Sequence, residues 1–501
     1  MDSKKIYGNI IIFVLLGFYP LIMTNGYFNV SLTKYVVFGS ITILMTFALV
    51  LDFCWKKQEK KGQNISDALI GKWKGLLLCD KFVVGYLVAE LIAFLVSEDK
   101  YISFTGVTNK YMGLFTAILL VCLYFIVRCS KVHHVFLIVT GEISSCIVVL
   151  IGLLQFCGID FFGFLDAIKY NPVQNYISTI GNTGIFGMYL ILIFPIAAGT
   201  FCTTQIKDLK ILSGITVFIL NIGLLISNTD STFLGFGVCF FFLAYIYGTD
   251  DKYSVEFLRM LSLVMIAVVL LGIIFQLVPH RTLSQLSQFI LSDQLAIPTL
   301  LVVFFAFMLK EKWCNNKRIL FSIRIILIVA GIGLTVGVLI GMLYFSVFAK
   351  GSCPTVLEHY LQFDDQWGTG RGYVWTRLLR IFSEKPLIQK IFGVGQGMVL
   401  VDMINYYKDE MQNQLGYIYD NAHNVYIQYM FTIGIYGVFM YIGTMISAIV
   451  SGLKKNAGML GCMLGIALAA YGVADMVSIL QPITVPFIWL FMALTQNKEH
   501  I

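Results

Sequence analysis

The sequence predicts an all-α membrane protein that crosses the bilayer many times and carries one large polar loop. Three observations lead there. Of its 501 residues, 58% are hydrophobic and 13% are charged, with a mean hydropathy of +0.82; a soluble domain is near half apolar and a quarter charged. Apolar runs of about 20 residues recur along the whole chain, the length a helix needs to cross ~30 Å of hydrocarbon. Alternating apolar–polar strand patterns are absent, so helices rather than a barrel must satisfy the backbone.

The apolar runs give about 14 candidate spans, near 7–24, 35–53, 76–97, 113–128, 133–157, 183–203, 211–227, 232–248, 258–278, 292–309, 320–348, 424–450, 458–479 and 484–496. The first follows MDSKK and could pass for a signal peptide; its length, with no A-x-A site after it, marks an uncleaved span. SNTDST near 227–232 separates the seventh from the eighth, and Pro482 and Pro486 interrupt the approach to the last. Between the eleventh and twelfth lies the one long polar interval of the C-terminal half. The chain therefore divides into residues 1–349 of membrane helices, a loop with amphipathic helices at 350–422, and further membrane helices at 423–501.

Loop charge sets orientation. With the N-terminus inside, every cytoplasmic loop carries Lys or Arg: Met1–Lys5, WKKQEKK through Lys74, Arg128–Lys131, Lys207–Lys210, Asp250–Arg259, KEKWCNNKR, GLKKN and the NKEH tail. The opposite loops, such as TNGYFNVSLT, are poor in them, which favours an even number of spans with both termini cytoplasmic. The 350–422 loop is then extracytoplasmic, and its Arg371, Arg377 and Arg380 break the positive-inside pattern. The eleven scattered cysteines form no CxxC or Cys/His cluster, which supports neither a disulfide framework nor a zinc site. The positive net charge serves topology and does not indicate a nucleic-acid partner.

Four stretches on the outward side place polar residues at membrane depth: SEDKYISFTGVTNKYMG with Lys110, NYISTIGNTGIFGMYL with Asn182, SNTDSTFLG with Asp230, and the long loop. Polar groups near lipid usually face a cavity or a partner, although Ser, Asn and Asp also close helix ends. In the loop, Thr369 is placed to cap a helix running from about Gly370 to Ser383, ahead of Pro386. Arg371, Trp375, Leu378 and Phe382 then share its apolar face, and Arg377, Arg380 and Glu384 its polar one. The polar pair suits lipid headgroups. Arg371 suits either snorkelling beside Trp375 or a bidentate grip on phosphate. Gly393-x-Gly395-x-Gly397 lacks the strand–helix setting of a dinucleotide fingerprint and reads as a tight turn. His423, at the mouth of the next span, is either a helix-end residue or a proton acceptor.

These residues together resemble the O-antigen ligase and polymerase superfamily of bacterial surface-polysaccharide assembly. Gly106-x-x-x-Lys110-x-x-Gly113 is similar to that family's G-x-x-x-R-x-x-G, with Lys in place of Arg. Ser178-Thr-Ile-Gly181-Asn182 is similar to its S-x-x-G-N element. Arg371-x-x-x-Trp375, Pro386 and Gly393-x-Gly395 follow its R-x-x-x-W…P…G-x-G segment. His423-Asn424-x-Tyr426-x-Gln428 with Gly434-x-x-Gly437 follows its H-N-x-(Y/F)-(L/I)-Q…G-x-x-G block. The mid-chain Ser-Arg-Gly of the family is replaced by Thr229-Asp230-Ser231, so a second phosphate-binding cation would be Lys110, Arg281 or Arg377. That departure leans towards a polymerase-like or otherwise divergent member.

The resemblance implies a GT-C-like glycosyltransferase of the bacterial cytoplasmic membrane, with its active site on the extracytoplasmic face. The donor would be a glycan on polyprenyl pyrophosphate; the acceptor would be a hydroxyl of a lipid-linked or surface glycan. Arg371 and His423 would be catalytic. Lys110, Asn182, Asp230, Arg281, Trp375, Arg377, Gly395, Asn424, Tyr426 and Gln428 would bind substrate. Neither metal nor organic cofactor is expected, and membrane lipid is the surrounding partner. The alternative is a transporter or flippase of polysaccharide or lipid-linked oligosaccharide. That class predicts two related halves with interrupted helices, and the sequence shows no such internal repeat.

Overall fold

A computed structural model describes residues 3–24, 26–27, 29–59, 75–167, 176–278 and 283–497. Arg281, most of the lysine-rich stretch up to Lys74, and the tail from 498 lie outside the described residues. Among the described residues every regular element is helical and none is a strand.

Each of the fourteen expected spans falls on helix, and nine described helices are long and apolar enough to cross a membrane. The remaining five fall short for identifiable reasons. The first is a ten-residue helix, Ser3–Ile12, continued by a wider turn at Phe13–Phe18. Leu78–Val96 carries three charged residues, Asp80, Lys81 and Glu90. Leu114–Cys129 and Val485–Thr495 are short, and Gln285–Leu291 with Asp293–Met308 forms a pair bent by 50°. Lys34 accounts for the abrupt end of the first. Its buried ammonium donates to the carbonyls of Tyr19, Pro20 and Ile22 at 2.8, 3.0 and 3.2 Å, satisfying carbonyls that a helix end leaves orphaned.

The centre of the bundle is the wholly buried Thr183–Thr203 helix, packed by Lys207–Ser227 and by Gly458–Ala474. Small residues set these approaches: Gly223 lies against Leu190, and Gly199 against Met463. Val425–Leu453 packs along Leu78–Val96, which brings the end of the polar loop beside the first outward stretch.

The loop is a folded unit. Thr355–Leu361, Trp367–Glu384, Leu387–Phe392 and Met398–Leu415 are helical. Tyr373, Val374, Leu378, Ile381, Met398 and Met403 bury a small core of their own. Leu378 is buried while Arg380 and Glu384 are exposed, as the amphipathic spacing requires. The expected Thr369 cap is not present. Gly368, Thr369 and Gly370 all take left-handed conformations (φ 58°, 61° and 88°), and the Thr369 hydroxyl donates to the Gly368 carbonyl. A cap needs an extended backbone to aim its side chain at the following amides; a left-handed run cannot supply that.

The expected span at 424–450 is broken at Gly434, whose φ of 74° and ψ of 179° interrupt the helix. The glycine turn fills the break. The Val394 amide donates to the Phe431 carbonyl at 3.2 Å, and the Gly395 amide to the Thr432 carbonyl at 2.9 Å. A Cβ on Gly393 would strike the Thr432 carbonyl, and one on Gly434 the Ile391 carbonyl. Two glycine motifs 40 residues apart thus form one contact of backbone on backbone.

Candidate active site

The first and third outward stretches meet the long loop at one end of the bundle. The Ser103 hydroxyl donates to the Gln396 carbonyl at 3.1 Å, and Lys110 Nζ lies 3.5 Å from Asp420 Oδ2. Asp230 receives the Tyr360 hydroxyl at 3.3 Å and lies 3.6 Å from His359 Nε2. A narrow cleft of about 30 Å³ opens between the first stretch and the loop, lined among others by Lys110, Gln396, Asp420, His423, Asn424 and Gln428.

Local sequence explains how each wall is held. Gly106 and Gly113 pack backbone to backbone, since a Cβ on either would collide with the other strand of the loop. Lys110 stands at its tip between Asn109 and Tyr111, both left-handed at φ 68° and 50°. His423 is likewise left-handed (φ 48°), the last residue before the cap of the next helix. Its turn is fixed from every side. Asn424 Oδ1 caps the helix by accepting the Tyr426 and Ile427 amides at 2.9 and 3.0 Å. Gln428 Oε1 accepts the Ala422 amide at 2.9 Å, and Trp375 Nε1 donates to the Ala422 carbonyl at 2.9 Å. The Asn421 side chain accepts the His423 amide at 2.9 Å. The ring of Tyr419 meets the imidazole edge-on, with centroids 5.6 Å apart.

Arg371 follows the left-handed run. Its Nη1 donates to the Gly368 carbonyl at 2.8 Å, while Nε is buried without a partner among the described residues. Burial opposes its charge; Asp230 and then Tyr419 favour it. Guanidinium is not deprotonated in proteins, so Arg371 is a cation with donor capacity to spare. Burial lowers the His423 pKa most, then Arg371 and Lys110; Asp420 pulls it back, and the outcome is a value of about 4. The imidazole is therefore neutral at pH 7.

Several expected ligands have structural duties. Arg377 Nη1 and Nη2 pair with Asp365 and Glu410 at 2.6 and 2.7 Å, and the guanidinium lies 4.0 Å over the Tyr373 ring. Among the described residues, that leaves Lys110 as the cation that acts on His423 together with Arg371; Arg281 lies outside them. Asn182 Oδ1 caps its helix through the Ile185 amide at 3.0 Å, and the Tyr426 hydroxyl donates to the Gly472 carbonyl at 2.6 Å. Gly395 packs against Ser97 and Ser103. Trp375 sits behind Ala422 and supports the His423 turn. Asp420, Asn421 and Gln396 line the cleft and escaped sequence reasoning. Their signals were a carboxylate three residues before the histidine and a polar side chain between two glycines.

Arg371, the glycine turn and His423 all lie in a single stretch of chain that a family model also recognises. Residues 291–442 match the O-Antigen ligase family. Over that segment the chain is similar to the family that its motifs resemble. Lys110 and Asp230 lie before the matched segment and are brought beside Asp420 and Arg371 by the fold; Asn182 also lies before it and caps its own helix. No curated protein matches the chain.

Proposed function

We propose that the protein is a metal-independent glycosyltransferase that moves a glycan from polyprenyl pyrophosphate to a hydroxyl of a lipid-linked or surface glycan. One observation carries the reading: the O-Antigen ligase segment brings a partly unpartnered Arg371 into electrostatic contact with His423, beside a cleft that Lys110 also lines. Two cations beside a neutral imidazole suit a reaction that releases a pyrophosphate and a proton. The acceptor oxygen bonds to the anomeric carbon as the carbon–oxygen bond to phosphate breaks, and the electron pair leaves with the pyrophosphate. Arg371 and Lys110 stabilise that departing charge, as fixed donors do for developing anions. His423 takes the acceptor proton or orients the acceptor hydroxyl. The same reading includes fourteen spans in a GT-C-like arrangement, cytoplasmic termini, an extracytoplasmic cleft and residence in the bacterial inner membrane. Thr229-Asp230-Ser231 in place of the family's Ser-Arg-Gly element supports a polymerase-like or otherwise divergent member.

Donor crosslinking and transfer by purified variants test this. Arg371→Lys keeps the charge and loses the planar fork, and it should bind the donor poorly, as should Arg371→Ala. His423→Ala should still bind it and should transfer ~10²–10⁴-fold more slowly. Equal donor binding by the wild type and Arg371→Ala would remove the phosphate role. In a deletion strain, shortened glycans mark a polymerase and long unattached glycans a ligase.

A further inference from the structure

The Lys110–Asp420 pair is a loose one. Its 3.5 Å separation exceeds the ~2.7–2.9 Å of a charge-assisted hydrogen bond. The pairs that hold the loop together are shorter: 2.6 and 2.7 Å for Arg377, and 2.8 Å for Lys385 with Asp402. Both loose partners keep access to solvent, at 21% and 35% of side-chain area, and both line the cleft. Asp420 is nonetheless firmly carried. Asn421 Nδ2 donates to its Oδ1, and Asn421 Oδ1 accepts the His423 backbone amide, so carboxylate and imidazole ride on one turn. Gln396 faces them, its amide anchored on Glu90 at 2.8 Å.

The charges around that turn distinguish its two candidate proton acceptors. His423 has Arg371 and Lys110 as neighbours and is half-buried, all of which oppose a gain of positive charge. Asp420 has Lys110 alone within ion-pair reach among the described residues. A pyrophosphate carries at least two negative charges and competes for that ammonium better than one carboxylate does.

We propose that Asp420 is a second catalytic group: the donor's pyrophosphate draws Lys110 away, and the freed carboxylate binds the acceptor sugar hydroxyl and takes its proton. This rests on the glycan-transfer reading and deepens it. As the acceptor oxygen bonds to the anomeric carbon, the hydroxyl proton passes to Asp420 Oδ2 and later to water, and the electron pair of the broken bond leaves on the pyrophosphate. His423 stays neutral and orients the hydroxyl. Lys110 is then both a donor ligand and the gate on the base, so an unoccupied site holds its base paired.

The test uses the full chain in lipid nanodiscs, a polyprenyl-pyrophosphate glycan and an acceptor glycan. Melting curves establish that each variant is folded. Asp420→Asn should bind the donor at least as tightly as the wild type and transfer about 10²-fold more slowly. Asp420→Glu should recover part of the rate. Lys110→Met should weaken donor binding, and the Lys110→Met/Asp420→Asn double variant should stay as slow as Asp420→Asn. A strut between two loops behaves differently: the neutral double variant would regain wild-type transfer, which overturns the proposal. Wild-type transfer by Asp420→Asn overturns it as well. A wild type that neither binds nor consumes the donor would instead sink the glycan-transfer reading, and the role of Asp420 with it.

Discussion

His423 is held in a left-handed turn by Asn421, Asn424, Gln428 and Trp375, and its ring is half-buried beside the cations Arg371 and Lys110. That setting has a measurable consequence. The pKa in the folded chain is about 4 against an ordinary 6.5, so between those values the unfolded chain binds the proton and the folded chain does not. Stability therefore rises with pH across this window; the benefit of a neutral ring is complete above pH 6.5 and is lost as pH falls towards 4. His423→Ala should remove this loss. Melting temperatures of wild type and variant should converge, or cross in favour of the variant, between pH 6.5 and 4, and a constant difference would refute the burial argument. That Arg371 and His423 would come together was legible because both belong to the same run of motifs. The duty of Arg377 was not, because Asp365 and Glu410, its partners, are 12 and 33 residues away. Asp420 stayed hidden for a similar reason, since its neighbour Lys110 belongs to a loop 310 residues earlier.

Helices followed from apolar runs, because length and hydropathy alone decide what can cross hydrocarbon. Their breaks did not. Glycine is common in membrane helices, so Gly434 reads as helix until the Gly393–Gly395 turn is seen to occupy the gap. The left-handed run at 368–370 was misread because Thr369 looks like a cap, whereas the two flanking glycines permit a conformation that removes one. The Gly434 break can be checked against a control. Gly434→Ala meets both a positive φ and the Ile391 backbone, and should cost about 1–3 kcal/mol or prevent folding. Gly416 has a similar φ of 75° with open space around it, so Gly416→Ala should cost only about 1 kcal/mol. Equal melting temperatures for the two variants would show that the turn does not lock the helix.

At the scale of the whole molecule, the sequence reveals a membrane protein with a folded loop, and the fold gathers residues 110, 230, 371 and 423 at one end. Charge asymmetry predicts which side that end faces. A tag within residues 353–365 should be labelled from outside the cell, and one within 310–318 should be labelled only after permeabilisation. The reverse pattern would put the cleft on the cytoplasmic side, out of reach of an outer-leaflet donor.

The helix Lys317–Phe348 connects these two tags and has an unusual setting. None of its most apolar window is buried, and it touches its neighbours mainly near its ends, through Arg324 with Thr249 and through Ser346 with Phe363. Its 32 residues extend about 48 Å at 1.5 Å each, well beyond the ~30 Å of hydrocarbon it crosses. The excess must be taken up by tilt or by protrusion, both of which depend on how thick the surrounding bilayer is. Since the loop hangs directly from this helix, acyl-chain length becomes a mechanical input to the height of Arg371 above the membrane. Reconstitution in a graded series of phosphatidylcholines should give transfer rates that peak at one thickness, with the melting temperature of the bundle changing little. A flat profile would mean that the loop's contacts with the bundle, and not this helix, set its position.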